Sequence, residues 1–254
     1  MEINKSLESF CGKLTGSSVH LARTYMFDEL QAVLDATSTN ATKEDFYNAI
    51  VNENCLAKDT VKNREVSYTK LKLAYTMNPE NKSFILLRRL YDLYPNDFQL
   101  TAFLCTYVRD YLLRDATNYL QTFSIGNEIT SKMIEPIINE LYPQKFTERM
   151  VQSLCRNLVG TFYKSGHLEG LKTKKTRAFA KANVSAVVYA AVLAHVQGKR
   201  GIYIYDNEFI RAIDCTKEAA FSLLSDADSK GIVKLRSLGD VVEIGFPIAE
   251  DLLK

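Results

Sequence analysis

Residues 144–181 read QKFTERMVQSLCRNLVGTFYKSGHLEGLKTKKTRAFAK. Thr147 is a good helix N-cap, and Glu148 follows in the first turn, where a carboxylate suits the helix dipole. Met150, Val151, Leu154, Leu158, Val159 and Phe162 recur at helical spacing and predict one apolar stripe. Arg149, Arg156 and Lys164 lie off that stripe, facing water or a partner. Gly166 is the expected stop, with His167 and Gly170 in the turn after it. Lys172, Lys174, Lys175, Arg177 and Lys181 then follow, almost on alternate positions. A helix, a short hairpin and a cationic edge are the parts of a winged helix-turn-helix, whose second helix enters the DNA major groove.

Charge points the same way. The stretch holds nine Lys+Arg, the first of them Lys145, against two acids, Glu148 and Glu169, so it carries +7 in a chain of net +2. A near-neutral protein with its positive charge gathered in one place has an electrostatic footprint. The plain alternative is a solvated helix and loop with no ligand.

Upstream, residues 130–142 are amphipathic and would be the first helix of the pair, with 143–146 as the turn. Pro136 lies inside that run: either the helix kinks there, or Glu135 caps it and Pro136 is its first residue. Downstream, 182–196 reads as a buried helix. Asp206 or Asn207 opens a short helix, Thr216 caps another to Lys230, and Gly231 stops it. Two strands, 232–235 and 241–246, flank a Gly239-Asp240 turn. Helices followed by a hairpin predict a second winged-helix-like module. Glu218, Asp226 and Asp228 on its third helix point to protein contact or packing there.

The N-terminal half reads as helices. Residues 1–17 are expected to be an extended or poorly ordered leader. Ser18 caps a predicted helix over 19–36, and Thr42 with Asp45 forms a capping box for a short one. Thr60 caps a helix to Met77, whose outer face carries Lys62, Arg64, Lys70 and Lys72. Further helices are predicted over 82–94, 97–113 and 115–123. The expectation is a mainly α protein: a helical bundle over 18–125, a winged helix-turn-helix with a basic arm over 126–181, and the second module over 182–254.

The chain has 254 residues, 46% hydrophobic and 24% charged, which suits a large globular core. Five cysteines, at 11, 55, 105, 155 and 215, have no zinc-type spacing and suit buried free thiols in a reducing compartment. The N-terminus has no apolar signal core, and the run 184–196 is short for a bilayer span, so a cytoplasmic protein is expected.

Nothing predicts catalysis, a metal or a cofactor. His20, His167 and His195 are far apart in sequence. Gly166-His-Leu-Glu-Gly170 follows a helix and lacks the phosphate-loop lysine. Cys155 and His167 would be about three turns apart on a helix, too far for a nucleophile and its base. Asp92, Asp97, Asp110 and Asp115 alternate with Arg88, Arg89, Arg109 and Arg114, and Arg109-Asp110 and Arg114-Asp115 are expected as ion pairs between helices.

Several phrases carry a likeness: IVNENCLAKDTVKNREVSYTKLKLAY (50–75), FILLRRLYDL (84–93), LTAFLCTYVRDYLLRDA (100–116), RNLVGTFYKSGHLEG (156–170) and GDVVEIGFP (239–247). With these the chain resembles the BrxA family of bacterial BREX phage-exclusion systems, from about residue 18 to the end. The resemblance implies a small, non-enzymatic, helical, double-stranded-DNA-binding component. It would act beside a methyltransferase, an ATPase and a PglZ-type phosphatase-like protein, and it carries over no catalytic residues. The DNA contacts would come from Lys145, Arg149, Arg156 and Lys164, from Lys172, Lys174, Lys175 and Arg177, and from Lys62, Arg64 and Lys70. Two other functions fit the same sequence: a scaffold docking the methyltransferase or PglZ-type partner, and a transcriptional regulator of the defence operon.

Overall fold

The computed structural model describes residues 5–14, 17–171, 174–238 and 241–254. Along these, α1 (Lys5–Cys11), α2 (Phe27–Ala36), α3 (Lys43–Tyr47), α4 (Val61–Tyr75), α5 (Lys82–Leu93), α6 (Gln99–Tyr107) and α7 (Tyr111–Leu120) come first. Then follow α8 (Ser131–Leu141), α9 (Glu148–Lys164) and the strands β1 (Leu168–Leu171) and β2 (Lys174–Arg177). The chain closes with α10 (Val184–Val196), α11 (Glu208–Ala212), α12 (Lys217–Ser229), β3 (Lys234–Leu238) and β4 (Val241–Gly245). The protein is mainly helical, and β1–β2 and β3–β4 are antiparallel hairpins.

Many elements start where local chemistry places them. Thr60, Asn81, Thr147, Asn183, Asn207 and Thr216 each accept a backbone N–H of the helix they begin, which satisfies donors that no helical carbonyl can reach. Thr42 and Asp45 form the capping box of α3. Gly166 and Gly231, at φ +80° and +70°, end α9 and α12 in the left-handed region.

Three expectations need correction. Residues 5–11 are helical, not an extended leader, because Leu7, Phe10 and Cys11 bury against α5 and α10. The predicted helix over 19–36 is two pieces: a 3-10 turn at Val19–Leu21, then α2, separated by Met26 at φ 54°. The predicted helix over 97–113 also breaks, between α6 and α7, because Asp110 leaves helical geometry and caps Leu112 and Leu113. Pro136 lies inside α8, so of the two readings there the one with Glu135 as the helix cap falls.

Among the described residues, the expected ion pairs around Arg109 and Arg114 are not formed. Arg109 donates to the carbonyls of Cys11 and Leu73, and Arg114 to those of Tyr107 and Val108. Arg88 pairs with Asp92 along α5, and Arg89 reaches Asp251 near the C-terminus.

The core runs through the whole chain. At its centre is α10, buried from Ser185 to Ala194 on every side. It packs against α1, α5 and α6 on one side and α11 and α12 on another. The two polar side chains in its buried middle are matched: Ser185 bonds Thr101 at 2.7 Å, and Tyr189 bonds Ser83 at 2.5 Å. That matching is needed, since an unpaired buried hydroxyl costs roughly 1–3 kcal/mol.

Candidate nucleic-acid interface

The basic stretch folds as a helix and a hairpin, held by two buried polar knots. The first knot anchors one flank of α9. Thr161 accepts from Tyr25 N–H at 3.1 Å and meets His20 Nε2 at 2.8 Å. His20 Nδ1 lies 2.8 Å from Asp110, which also accepts from Ser18 and Val19. Both ring nitrogens of His20 are thus matched to a buried polar partner. Asn157 donates to the His20 carbonyl, and a Cβ on Gly160 would lie 2.9 Å from Thr24 Cγ2. Residues 18–26 therefore press closely along this flank.

Thr161, His20 and Asp110 have the order of a nucleophile, a base and its orienting carboxylate. All three are buried, and the adjoining void lined by Asp110 holds only about 10 Å³. No substrate fits there, so the trio is read as a structural tie.

The second knot anchors the hairpin. Arg177 is buried and bidentate to Asp214, at 2.6 and 2.8 Å, and it also donates to the carbonyls of His167 and Ala178. His167, in the bend between α9 and β1 as expected, is fully buried. Its Nε2 donates to the Ala212 carbonyl and its Nδ1 accepts from Ser165, both at 2.8 Å. Burial pushes the His167 pKa below its ordinary value, so the ring is neutral. Burial works to raise Asp214, but the hydrogen bonds from Arg177 and Ala180 and the Arg177 charge hold it below the usual carboxylate range.

The hairpin gains a third antiparallel line. Gly126 N–H donates to Arg177 O, Arg177 N–H to Asn127 O, and Ile129 N–H to Lys175 O, at 2.8–2.9 Å. Gly170, at φ +106°, belongs to β1, and a Cβ there would meet Lys174 O at 2.6 Å. Gln144 supplies the left-handed residue of the α8–α9 turn at φ 60°, the conformation a glycine often provides.

These constraints sort the candidate cations. Arg177 is withdrawn into the core and has no surface role. Lys164 is paired with Asp28, and Arg64 is tied to the carbonyls of Val51 and Lys58. Lys172 lies outside the described residues. Lys62 is exposed and Lys70 half-buried on α4, which with α9 borders the Val19–Leu21 turn.

The others gather along α9. Arg149 and Arg156 are exposed and make no ion pair among the described residues. With Tyr163, which is 43% exposed, they stand seven residues apart. Seven residues are two turns less about 20°, so the three side chains share one face over about 21 Å. Lys175 lies over the Tyr163 ring at 5.4 Å, and Lys174 is exposed beside it. At the other end Lys145 sits over the rings of Tyr111 and Tyr142, at 4.6 and 5.0 Å. Met150, expected on the buried stripe, is instead exposed at the first turn, while Val151, Leu154, Leu158, Val159 and Phe162 are buried.

Sequence reasoning missed Tyr163, although its seven-residue spacing from Arg149 and Arg156 was visible. It also missed the tether of residues 18–26, which carries no local signal. No protein-family model matches the chain, and no curated protein matches it. Among the described residues no helix is long and apolar enough to cross a membrane, and no cluster of His, Cys, Asp or Glu is arranged to hold a metal ion.

Proposed function

We propose that the protein binds double-stranded DNA through α9, with the β1–β2 hairpin as a cationic wing. One observation carries the reading: Arg149 and Arg156, which make no ion pair among the described residues, share one exposed face of α9 with Tyr163, and Lys175 of the hairpin lies over the Tyr163 ring. A helix face of that length suits a major groove about 12 Å wide. The order α7, α8, α9, hairpin, with 126–129 laid along β2, supports the winged helix-turn-helix form. The order α10, α11, α12, hairpin supports a second copy.

The guanidinium and ammonium groups would meet mostly phosphates, so binding would be largely independent of sequence and would weaken steeply with salt. The resemblance to the BrxA family would assign this activity to phage exclusion, as a non-enzymatic accessory beside a methyltransferase, an ATPase and a PglZ-type protein. That assignment rests on the quoted phrases alone.

The test is fluorescence anisotropy on random and operon-promoter duplexes across a salt series. Arg149→Glu with Arg156→Glu should weaken binding to all sequences alike and reduce the salt slope by about 2, one per phosphate contact. No binding to any duplex, or binding indifferent to salt, would sink the proposal.

A second reading has its own observation. Leu171 and Phe179 are 76% and 66% exposed at and beyond the hairpin. Large apolar side chains standing in water suit a protein partner as well as DNA. Capture of a BREX partner at high salt, lost on Leu171→Ser with Phe179→Ser, would favour the scaffold.

A further inference from the structure

Away from α9, a cavity of about 470 Å³ opens between α1, the first turn of α5, the last turn of α10 and the C-terminal residues. Lys5, Lys82 and Arg200 line it, from segments far apart in sequence, together with Ser9 and His195. Phe10, Val196, Leu252 and Leu253 supply an apolar side.

Among the described residues that line this cavity none is acidic, so their positive charge has no balance there. Lys5, Lys82 and Arg200 make no ion pair among the described residues, unlike the neighbouring Lys254, which holds Glu250, and Arg89, which holds Asp251. The two acids next to Leu252 in sequence are thus committed elsewhere. Arg200 is anchored by donating to the carbonyls of His195 and Lys199, at 2.8 and 2.6 Å. His195 packs edge-on against Phe246, and its Nδ1 is a buried polar atom with no hydrogen-bond partner. Like charges brought to one cavity repel, and a buried polar atom left unpaired costs free energy. The repulsion falls when an anion with hydrogen-bonding oxygens enters.

We infer that this cavity is a binding site for an organic phosphate of nucleotide size, its phosphate held by Lys5, Lys82 and Arg200 and its flat apolar body lying on Phe10, Leu252 and Leu253. The volume lies within the roughly 300–1,000 Å³ usual for small-molecule sites. Three cations without acids select an anion, and the adjoining apolar side selects against a bare inorganic ion. The site shares no element with α9 and does not depend on the DNA-binding proposal.

The test is isothermal titration calorimetry on the full chain with four probes: AMP, GMP, UMP and phenyl phosphate. Adenosine and inorganic phosphate are the controls for each half of the ligand. At least one probe should bind about tenfold or more tightly than either control. Lys82→Glu and Arg200→Glu should each weaken it by about tenfold or more, the loss of one charge contact. Lys82 is the first residue of α5, where a carboxylate suits the helix dipole, so the Lys82→Glu chain should keep its fold. Lys217→Glu, at the exposed first turn of α12, should leave binding unchanged. Three results would each overturn the inference: no heat from any probe at millimolar concentration, binding no tighter than inorganic phosphate, or binding unaffected by the two cavity substitutions.

Discussion

Asp110 accepts five hydrogen bonds: from the backbone of Leu112, Leu113 and Val19, and from the side chains of Ser18 and His20. Burial acts to raise its pKa, but His20, Ser18 and the α7 backbone hold it below the usual carboxylate range. Replacing it strands several buried donors at once. Asp110→Ala should cost about 3–5 kcal/mol, measured by urea unfolding; a loss below about 1 kcal/mol would mean the knot is not a tie.

Acid should expose the same chemistry. Asp110 and Asp214 both have depressed folded pKa values, so their stabilisation is complete above the unfolded value near 4 and is lost as pH falls below it. His167 is also depressed, so its contribution is complete above about 6.5 and erodes below that. The urea midpoint should therefore decline gently below pH 6.5 and steeply below about 4. Asp214→Asn should flatten the lower stage. A midpoint that stays level down to pH 3 would contradict the assignment.

At the scale of elements, α9 is fixed on one flank and open on another. Gly160 permits the close approach of Thr24, at the usual helical cost for glycine of about 1 kcal/mol relative to alanine. Gly160→Ala should therefore gain little or lose stability in the native sequence, because the new methyl meets Thr24. In a Thr24→Ala background the same change should stabilise by several tenths of a kcal/mol or more. A double-mutant cycle reads the difference, and additive effects would show that the contact does not constrain α9. Arg177 gives a contrast on the hairpin. Arg177→Ala should destabilise the protein by about 3–5 kcal/mol, since it leaves Asp214 buried and unpaired. It should not behave as a surface contact, whose loss changes DNA affinity alone.

Across the whole molecule, α10 and the two knots join segments that are distant in the chain. Asp110 ties residues 18–20 to α7 and, through His20, to α9; Arg177 and His167 tie the hairpin to residues 212–214. A core this continuous should unfold in one step, with tyrosine fluorescence and far-ultraviolet dichroism giving coincident curves. Removing residues 182–254 should leave the rest aggregation-prone, because the faces of α5 and α6 against α10 would be bare. Two separated transitions would show that the halves fold independently.

The sequence by itself determined what depends on neighbours a few residues away. The caps at Thr42, Thr60, Thr147 and Thr216, the stops at Gly166 and Gly231, and the mainly helical class were all legible, because a cap or a left-handed glycine acts within one turn. So was the cationic gathering along 144–181. Only the tertiary structure decided which of those cations stay in water. Arg177 and Arg156 look alike in sequence, yet one meets Asp214, 37 residues on, and the other meets solvent. Likewise the run 97–113 is continuous in apolar pattern, but it breaks at Asp110, which is held by Ser18 and His20 about ninety residues earlier. Local periodicity cannot report such partners, because their energy comes from burial and charge pairing that exist only once the chain has folded.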